Sequence, residues 1–194
     1  MKVFFIGEPK TGTKSIAKAL DMLGVRTFHS SKSSQKAYNI ETSFSERSAF
    51  LDGFIRHSYV NLDKLFEDKK FVYTEFPPKQ WVKNVINHHV RKNREITSED
   101  VISKLLDTCR RKKEIFTYFG SRSDFRIINL TDSNNNWETL IDILELDSDI
   151  DTSKPFPKRG GSKKYKSFGE VLEDFNFTEN YIDNILIEEG YYDI

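Results

Sequence analysis

The chain has 194 residues, enough for one domain whose hydrophobic core needs neither disulfides nor metals. Its 30 Lys and Arg side chains balance its 30 Asp and Glu side chains, which argues against a general polyanion binder, since such proteins carry a basic excess. The single cysteine cannot form an internal disulfide, and no apolar stretch reaches the ~18 residues of a membrane span. We therefore expect one globular, cytoplasmic domain over residues 1–194, with no nucleic-acid or membrane partner.

The N-terminal residues predict a strand, a turn, a helix and a second strand, in that order. Residues 3–6 form a continuous apolar run before Gly7, which is typical of a fully buried strand in a parallel sheet. Residues 14–23 place apolar side chains on one helical face and end at Gly24, a common helix stop. Residues 25–28 predict the second strand. This order indicates the start of a β-α-β unit.

The remaining elements alternate between strands and helices. Strands are predicted over residues 71–74 and 125–130, and helices over 49–55, 62–66, 79–89, 98–118, 137–146, 168–175 and 178–189. Polar stretches over 29–48 and 148–166 predict loops. Ser98 is expected to cap the long helix, and both tryptophans and the cysteine are expected in the core. The alternation predicts an α/β fold, a parallel sheet with helices on both faces in three layers, α/β/α.

The clearest chemical signal lies in residues 7–15, Gly-Glu-Pro-Lys-Thr-Gly-Thr-Lys-Ser, between the first strand and the first helix. In that setting, backbone N–H groups converge at the helix N-terminus and favour an anion such as phosphate. Lys10 and Lys14 add positive charge. Hydroxyl donors come from Thr11, Thr13 and Ser15. These residues predict a phosphate-binding loop.

One interpretation of this loop is a Walker A motif, G-x-x-x-x-G-K-[ST]. Gly7 and Gly12 have the required spacing, but Thr13 stands where the lysine belongs, and Lys14 comes one residue late. Glu75 follows a predicted buried strand, where nucleotide hydrolases place a carboxylate that holds Mg²⁺ through water. A P-loop kinase or NTPase that uses Mg-ATP is therefore an alternative function.

The other interpretation needs no insertion, because residues 9–15 resemble the 5′-phosphosulfate loop of sulfotransferases. That loop runs roughly Pro-(Lys or Arg)-(Ser or Thr)-Gly-Thr-x-Ser. Three further patterns of the family follow in the same order: Ala19-Leu20-x-x-Leu23-Gly24, then Lys70 to Thr74 with Pro78 to Trp81, then Ile128 to Asp132 with Trp137 and Pro155 to Pro157. The resemblance covers residues 2 to 158.

The resemblance implies a P-loop-type α/β fold and an enzyme that transfers a sulfuryl group from 3′-phosphoadenosine 5′-phosphosulfate. It gives Lys10 the role of stabilising charge on the bridging oxygen as that group leaves. The donor-binding residues that it implies are Pro9, Lys10, Thr11, Gly12, Thr13, Lys14, Ser15, Thr74 and Asn84. No metal is required in principle, because lysine and N–H dipoles supply the positive charge.

The acceptor is expected to be a hydroxyl or amine on a small molecule or glycan, bound by variable loops over residues 30–47 and 150–166. His29 follows the second strand, at the carboxyl edge where α/β sheets bind ligands, and could take the acceptor's proton. The bland alternative for His29 is a polar loop residue. Assembly into a homo-oligomer stays open.

One departure from the family lies in its second motif, Thr-x-Arg-(Asp or Asn)-Pro-x-x-Trp with a serine three residues later. That arginine and serine grip the 3′-phosphate, but this chain has Phe76 and Asn84 at those positions. A phenyl ring cannot replace a bidentate guanidinium. Other cations in the chain that could compensate are Lys79, Lys83 and the pair Lys158-Arg159. Either the donor binds differently, or it binds weakly, or the chain is a non-catalytic binding protein that kept the fold.

Overall fold

Two compact units make up the chain in its computed structural model. The sheet unit comprises Met1–Phe76 and Ser123–Gly161, and the helical unit comprises Pro77–Arg122 and Ser162–Ile194. The structure describes residues 1–29, 44–45, 48–51, 55–131, 136–147, 149–158, 168–175 and 177–193. The expectation of a single domain over the whole chain stays a prediction.

A five-stranded parallel sheet organises the sheet unit, with strand order β2-β3-β1-β4-β5. The strands are β1 (Lys2–Phe5), β2 (Thr27–His29), β3 (Ala49–Leu51), β4 (Lys69–Glu75) and β5 (Phe125–Asn129). Strand β1 pairs with β3 on one side and β4 on the other. This central position explains the apolar run in β1, since a strand paired on both edges and covered on both faces excludes water. The residues after β1 therefore leave the sheet at the middle of its carboxyl edge.

The helices begin and end close to where the periodicity predicts them. They are α1 (Thr13–Met22), a short 3₁₀ helix (Ile55–His57), α2 (Tyr59–Leu65), α3 (Pro78–Arg91), α4 (Ser98–Phe119), α5 (Asn136–Leu144), α6 (Phe168–Asp174) and α7 (Glu179–Glu188). None of the helices in the described ranges is both long enough and apolar enough to cross a membrane.

Helices α1 and α5 cover one face of the sheet. The core on this face consists of Val3, Phe5, Ile16, Ala19, Leu20, Ala49, Leu51, Val72, Ile128, Trp137, Leu140, Ile143 and Leu144. The Trp137 indole N–H also donates to the Lys154 carbonyl at 2.9 Å, which satisfies the polar atom of this buried ring. The expected core role of Trp137 is therefore confirmed.

Aromatic rings fill the opposite face of the sheet. The Phe4 ring centroid lies 5.3 Å from those of Phe50 and Phe71, its neighbours on β3 and β4. Phe66, which directly follows α2, lies 5.4 Å from Phe4, and Phe44 lies 6.2 Å away. Both faces of the sheet are thus covered, and the predicted three-layer α/β/α fold is confirmed.

In the helical unit, the N-cap residue of α4 lies one position earlier than expected, at Thr97. The Thr97 hydroxyl accepts the Asp100 N–H at 3.2 Å, and the Asp100 carboxylate accepts the Thr97 N–H at 3.1 Å. The prediction of Ser98 as the cap is therefore wrong, because a reciprocal capping box places the N-cap at Thr97. Trp81 on α3 and Cys109 on α4 are buried as expected, and burial raises the pKa of the Cys109 thiol to about 11.

A second correction concerns residues 49–55, where the sequence predicts a helix. The structure has β3 (Ala49–Leu51) and then the 3₁₀ helix (Ile55–His57), with 52–54 outside the described residues. Strand β3 forms because it fills the place between β1 and β2 and pairs with both, and such tertiary pairing overrides weak local propensity. Of the predicted loops at 29–48 and 148–166, residues 30–43, 46–47, 148 and 159–166 lie outside the described residues.

Candidate functional site

The loop between β1 and α1 requires glycine at its first position. A Cβ atom on Gly7 would collide with the side chain of Thr74 and lie 2.7 Å from the Thr74 carbonyl oxygen. The loop therefore packs directly against the end of β4, and only a residue without a side chain allows that approach.

Two buried hydroxyls fix the shape of the loop. The Thr11 hydroxyl donates to the Glu8 carbonyl at 2.6 Å and lies 3.2 Å from the Thr74 hydroxyl. Thr11 is 2% exposed and Thr74 is 1% exposed, so these contacts are shielded from water. The family resemblance implies that both threonines bind the sulfuryl donor. In the structure, the contact between their hydroxyls joins the loop to the end of β4.

Left-handed backbone conformations at two positions lead the chain from the loop into helix α1. Lys10 has φ 72° and Gly12 has φ 97°. Gly12 is the N-cap of α1, and its carbonyl accepts the N–H groups of Ser15 and Ile16 at 2.8 and 3.1 Å. Alternating left-handed residues aim successive N–H groups at one spot, and the helix dipole adds positive potential there. The geometry suits a bound anion.

The side chains of the loop divide by exposure. Lys10 and Lys14 are exposed, whereas Thr13 and Ser15 are buried at the first turn of α1. The two cations can therefore reach a ligand from solvent, while the hydroxyls line the base of the loop. Pro9, which directly precedes Lys10, is half-buried.

His29 lies beside this loop, as its position at the carboxyl edge predicted. It is the last residue of β2, and its Nε2 atom is 3.3 Å from the Thr13 hydroxyl oxygen. The structure thus joins His29 to the first residue of α1. A partly exposed imidazole at this place can exchange a proton or orient the threonine hydroxyl.

Sequence reasoning missed a charge pair at the same loop. The Glu8 side chain is 7% exposed, and its Oε2 atom is 3.5 Å from Nη1 of Arg56, which is 24% exposed. Arg56 lies in the 3₁₀ helix that follows β3, and its Nε donates to Nε2 of His57 at 2.8 Å. The sequence feature that could have indicated this pair is the acidic Glu8 in a loop that also contains two lysines.

The second motif is divided between the units. Phe76 ends the segment of the sheet unit that contains β4, whereas Asn84 lies on α3 in the helical unit, where its Oδ1 accepts from Gln80 Nε2 at 3.5 Å. Asn84 is the one residue of the predicted set outside the sheet unit, which holds Pro9, Lys10, Thr11, Gly12, Thr13, Lys14, Ser15, His29 and Thr74.

Lys79, one of the cations considered as a substitute for the missing arginine, has carboxylate partners within the helical unit. Its Nζ atom lies 2.9 Å from Asp183 Oδ2 and 3.3 Å from Glu179 Oε2, both on α7. The hydrogen bond with Asp183 is the main cause of a raised pKa for Lys79. Its positive charge is thus already compensated. Arg159, another candidate, lies outside the described residues.

Among the described residues, no group of three or more His, Cys, Asp or Glu side chains is arranged to hold a metal ion. Glu75, the carboxylate of the kinase alternative, is the last residue of β4 and is half-buried.

Fold and loop together define a class: a parallel α/β protein with a glycine-dependent strand-to-helix loop suited to an anion. Comparison with known families matches residues 2–124 to a family described as sulfotransferase domain. The match covers more than half of the chain, so the protein belongs to the sulfotransferase family. No curated protein matches the chain.

Proposed function

We propose that this protein transfers a sulfuryl group from 3′-phosphoadenosine 5′-phosphosulfate to a hydroxyl or amine of a small molecule or glycan. The loop at residues 7–15 carries this proposal, because its left-handed residues, helix N-terminus and two exposed lysines suit the anionic end of such a donor. Membership of the sulfotransferase family supports the reaction class.

The residues of the loop fit that donor by their chemistry. The bound donor would supply the sulfuryl group and leave as 3′,5′-adenosine bisphosphate. Backbone N–H groups at Gly12, Thr13 and Lys14 would hold the 5′-phosphate. The exposed Lys10 ammonium would stabilise negative charge that develops on the bridging oxygen. As in phosphoryl transfer, positioning and electrostatics would supply most of the catalysis, without need of a metal.

His29 is the proposed general base. Its partial exposure at the carboxyl edge and its 3.3 Å contact with Thr13 place it next to the proposed donor loop. His29→Asn should lower turnover by about 100-fold and change the Kd of the bisphosphate by less than about threefold. Loss of affinity and turnover in equal proportion would instead assign His29 to positioning Thr13.

The test of the donor assignment is calorimetric titration with 3′,5′-adenosine bisphosphate, and with ADP and ATP in the presence and absence of Mg²⁺. We expect metal-independent binding of the bisphosphate, weakened about 10- to 100-fold by Lys10→Ala, since a charged hydrogen bond is lost. Lys18→Ala is the matched control, because it removes a lysine from α1 outside the loop.

Two other outcomes would contradict the proposal. Binding of ATP only with Mg²⁺ would favour the kinase or NTPase alternative, in which Glu75 helps to hold the metal. Binding of none of these nucleotides would favour the non-catalytic alternative, which the departures at Phe76 and Asn84 motivate.

A further inference from the structure

We propose that Arg56 sets the charge of the loop at residues 7–15, so that the loop accepts a polyanion although it contains Glu8. Arg56 would act through its ion pair with Glu8 and would not touch the ligand, so it is a positioning residue and not a catalytic one. This inference rests on the proposed function for its natural ligand, and on the ion pair itself for its mechanism.

Glu8 is an unfavourable residue for an anion site. Its side chain is 7% exposed, and it lies two residues before Lys10 in the chain. Its carbonyl is held by the Thr11 hydroxyl at 2.6 Å, so Glu8 belongs to the rigid part of the loop. A carboxylate in the same loop as a bound phosphate repels it, and the poor screening of a buried group strengthens that repulsion.

Arg56 compensates this charge from a separate element. The separation of 3.5 Å between Glu8 Oε2 and Arg56 Nη1 gives strong electrostatic neutralisation. The hydrogen bond from Arg56 Nε to His57 Nε2 at 2.8 Å helps to orient the guanidinium. Because an arginine stays charged at every working pH, the compensation is not lost by deprotonation of Arg56. Paired in this way, Glu8 and Arg56 add no net charge to the loop that carries Lys10 and Lys14.

Removal of Arg56 and removal of Glu8 should have opposite effects on anion binding. Removal of Arg56 alone exposes the carboxylate charge and should weaken anion binding. Removal of Glu8 alone leaves an extra positive charge and should strengthen anion binding. Removal of both charges should restore the original affinity, although the ion pair is gone. A purely structural brace would behave differently, since the double variant would stay as impaired as the worse single variant.

The experiment titrates 3′,5′-adenosine bisphosphate and inorganic pyrophosphate into the wild type, Arg56→Gln, Glu8→Gln and the double variant at pH 8. We expect Arg56→Gln to weaken both ligands about tenfold or more, Glu8→Gln to tighten them about threefold, and the double variant to lie within about threefold of the wild type. Arg56→Lys keeps the charge and should lie within about threefold as well. Thermal unfolding confirms that each variant folds.

A second ion pair in the sheet unit supplies the matched control. Lys70 Nζ lies 2.7 Å from Glu145 Oε1, and Lys70 is four residues before Thr74 on β4, about 13 Å along the strand. A charge change at that distance from the loop acts more weakly on it than one at the 3.5 Å separation of the Glu8–Arg56 pair. Lys70→Gln should therefore change the unfolding temperature and leave the affinity for both anions within about twofold.

The outcomes separate this inference from the donor assignment. Binding of pyrophosphate without the bisphosphate, with the expected pattern in the variants, would overturn the donor assignment and support the role of Arg56. No effect of Arg56→Gln in a folded protein, or no recovery in the double variant, would overturn the role of Arg56 while leaving bisphosphate binding intact. A wild type that binds neither ligand would overturn both.

Discussion

The loop at residues 7–15 and the segment at residues 76–84 correspond to two parts of one family pattern, and they follow it unequally. The loop keeps its glycines, and the structure gives it the left-handed turns and helix N-terminus of an anion site. The segment has Phe76 and Asn84 where the family resemblance implies arginine and serine. On the proposed function, the loop would bind the donor largely through backbone N–H groups, whereas the segment would bind it through side chains. A site built from backbone tolerates many substitutions, while a site built from a guanidinium is lost with one.

Gly7→Ala disrupts the loop at residues 7–15 and should have the largest effect. The new Cβ atom would collide with Thr74, so we expect a loss of about 3 kcal/mol in the free energy of unfolding, together with loss of anion binding. Gly24→Ala is the control, because Gly24 has φ 72° but nothing within 4 Å of its Cβ position. It should cost about 1 kcal/mol, measured by urea unfolding. Equal effects would mean that the contact with Thr74 is unimportant.

A second test restores the family's arginine at residue 76. If Phe76 weakens donor binding, Phe76→Arg should raise the affinity for 3′,5′-adenosine bisphosphate about 10- to 100-fold, as expected for a bidentate charged contact. ADP, which lacks the 3′-phosphate, should gain less than about threefold. Phe76→Ala separates removal of the ring from addition of the guanidinium. The same gain in both variants would contradict the charge explanation.

Thr11→Val tests how firmly the loop is braced. The substitution removes the donor to the Glu8 carbonyl and the contact with the Thr74 hydroxyl, and it should cost about 1 to 2 kcal/mol in unfolding free energy. Thr131→Val removes an exposed hydroxyl that donates to Asn129 at 2.7 Å, and should cost less than about 0.5 kcal/mol. If the two costs were the same, the buried position of Thr11 would not matter.

Lys79→Met should have the smallest effect. The Lys79 side chain is 34% exposed, so its pairs with Asp183 and Glu179 should contribute less than about 1 kcal/mol after solvent screening. Because the pKa of Lys79 is raised in the folded protein, this contribution is fully present below its unfolded pKa and is lost only as the pH rises through the higher folded value. The stability difference between variant and wild type should thus stay constant from pH 7 to pH 9, and a decline within that range would contradict the assignment.

Most of the fold could be predicted from the sequence, and the loop with it. The strands β1, β4 and β5 and the helices α1, α3, α4, α5, α6 and α7 fall close to the predicted positions, because hydrophobic periodicity is a local property. The position of His29 at the carboxyl edge of the sheet followed from the strand order, whereas its contact with Thr13 came only from the structure. The cap of α4 was misplaced by one residue, since Thr97 and Ser98 are both good caps and only the contact with Asp100 separates them.

The amino-acid sequence by itself determined the α/β class, the position of the loop at residues 7–15 and the membership of the sulfotransferase family, since each follows from patterns that occur in order along the chain. Tertiary structure alone decided that residues 49–51 form a strand and that Gly7 packs against Thr74. It also decided that Arg56 forms an ion pair with Glu8 and that α7 supplies carboxylate partners of Lys79. The physical reason is the same in each case: these contacts join residues far apart in sequence, and a local pattern carries no information about which distant side chain will arrive.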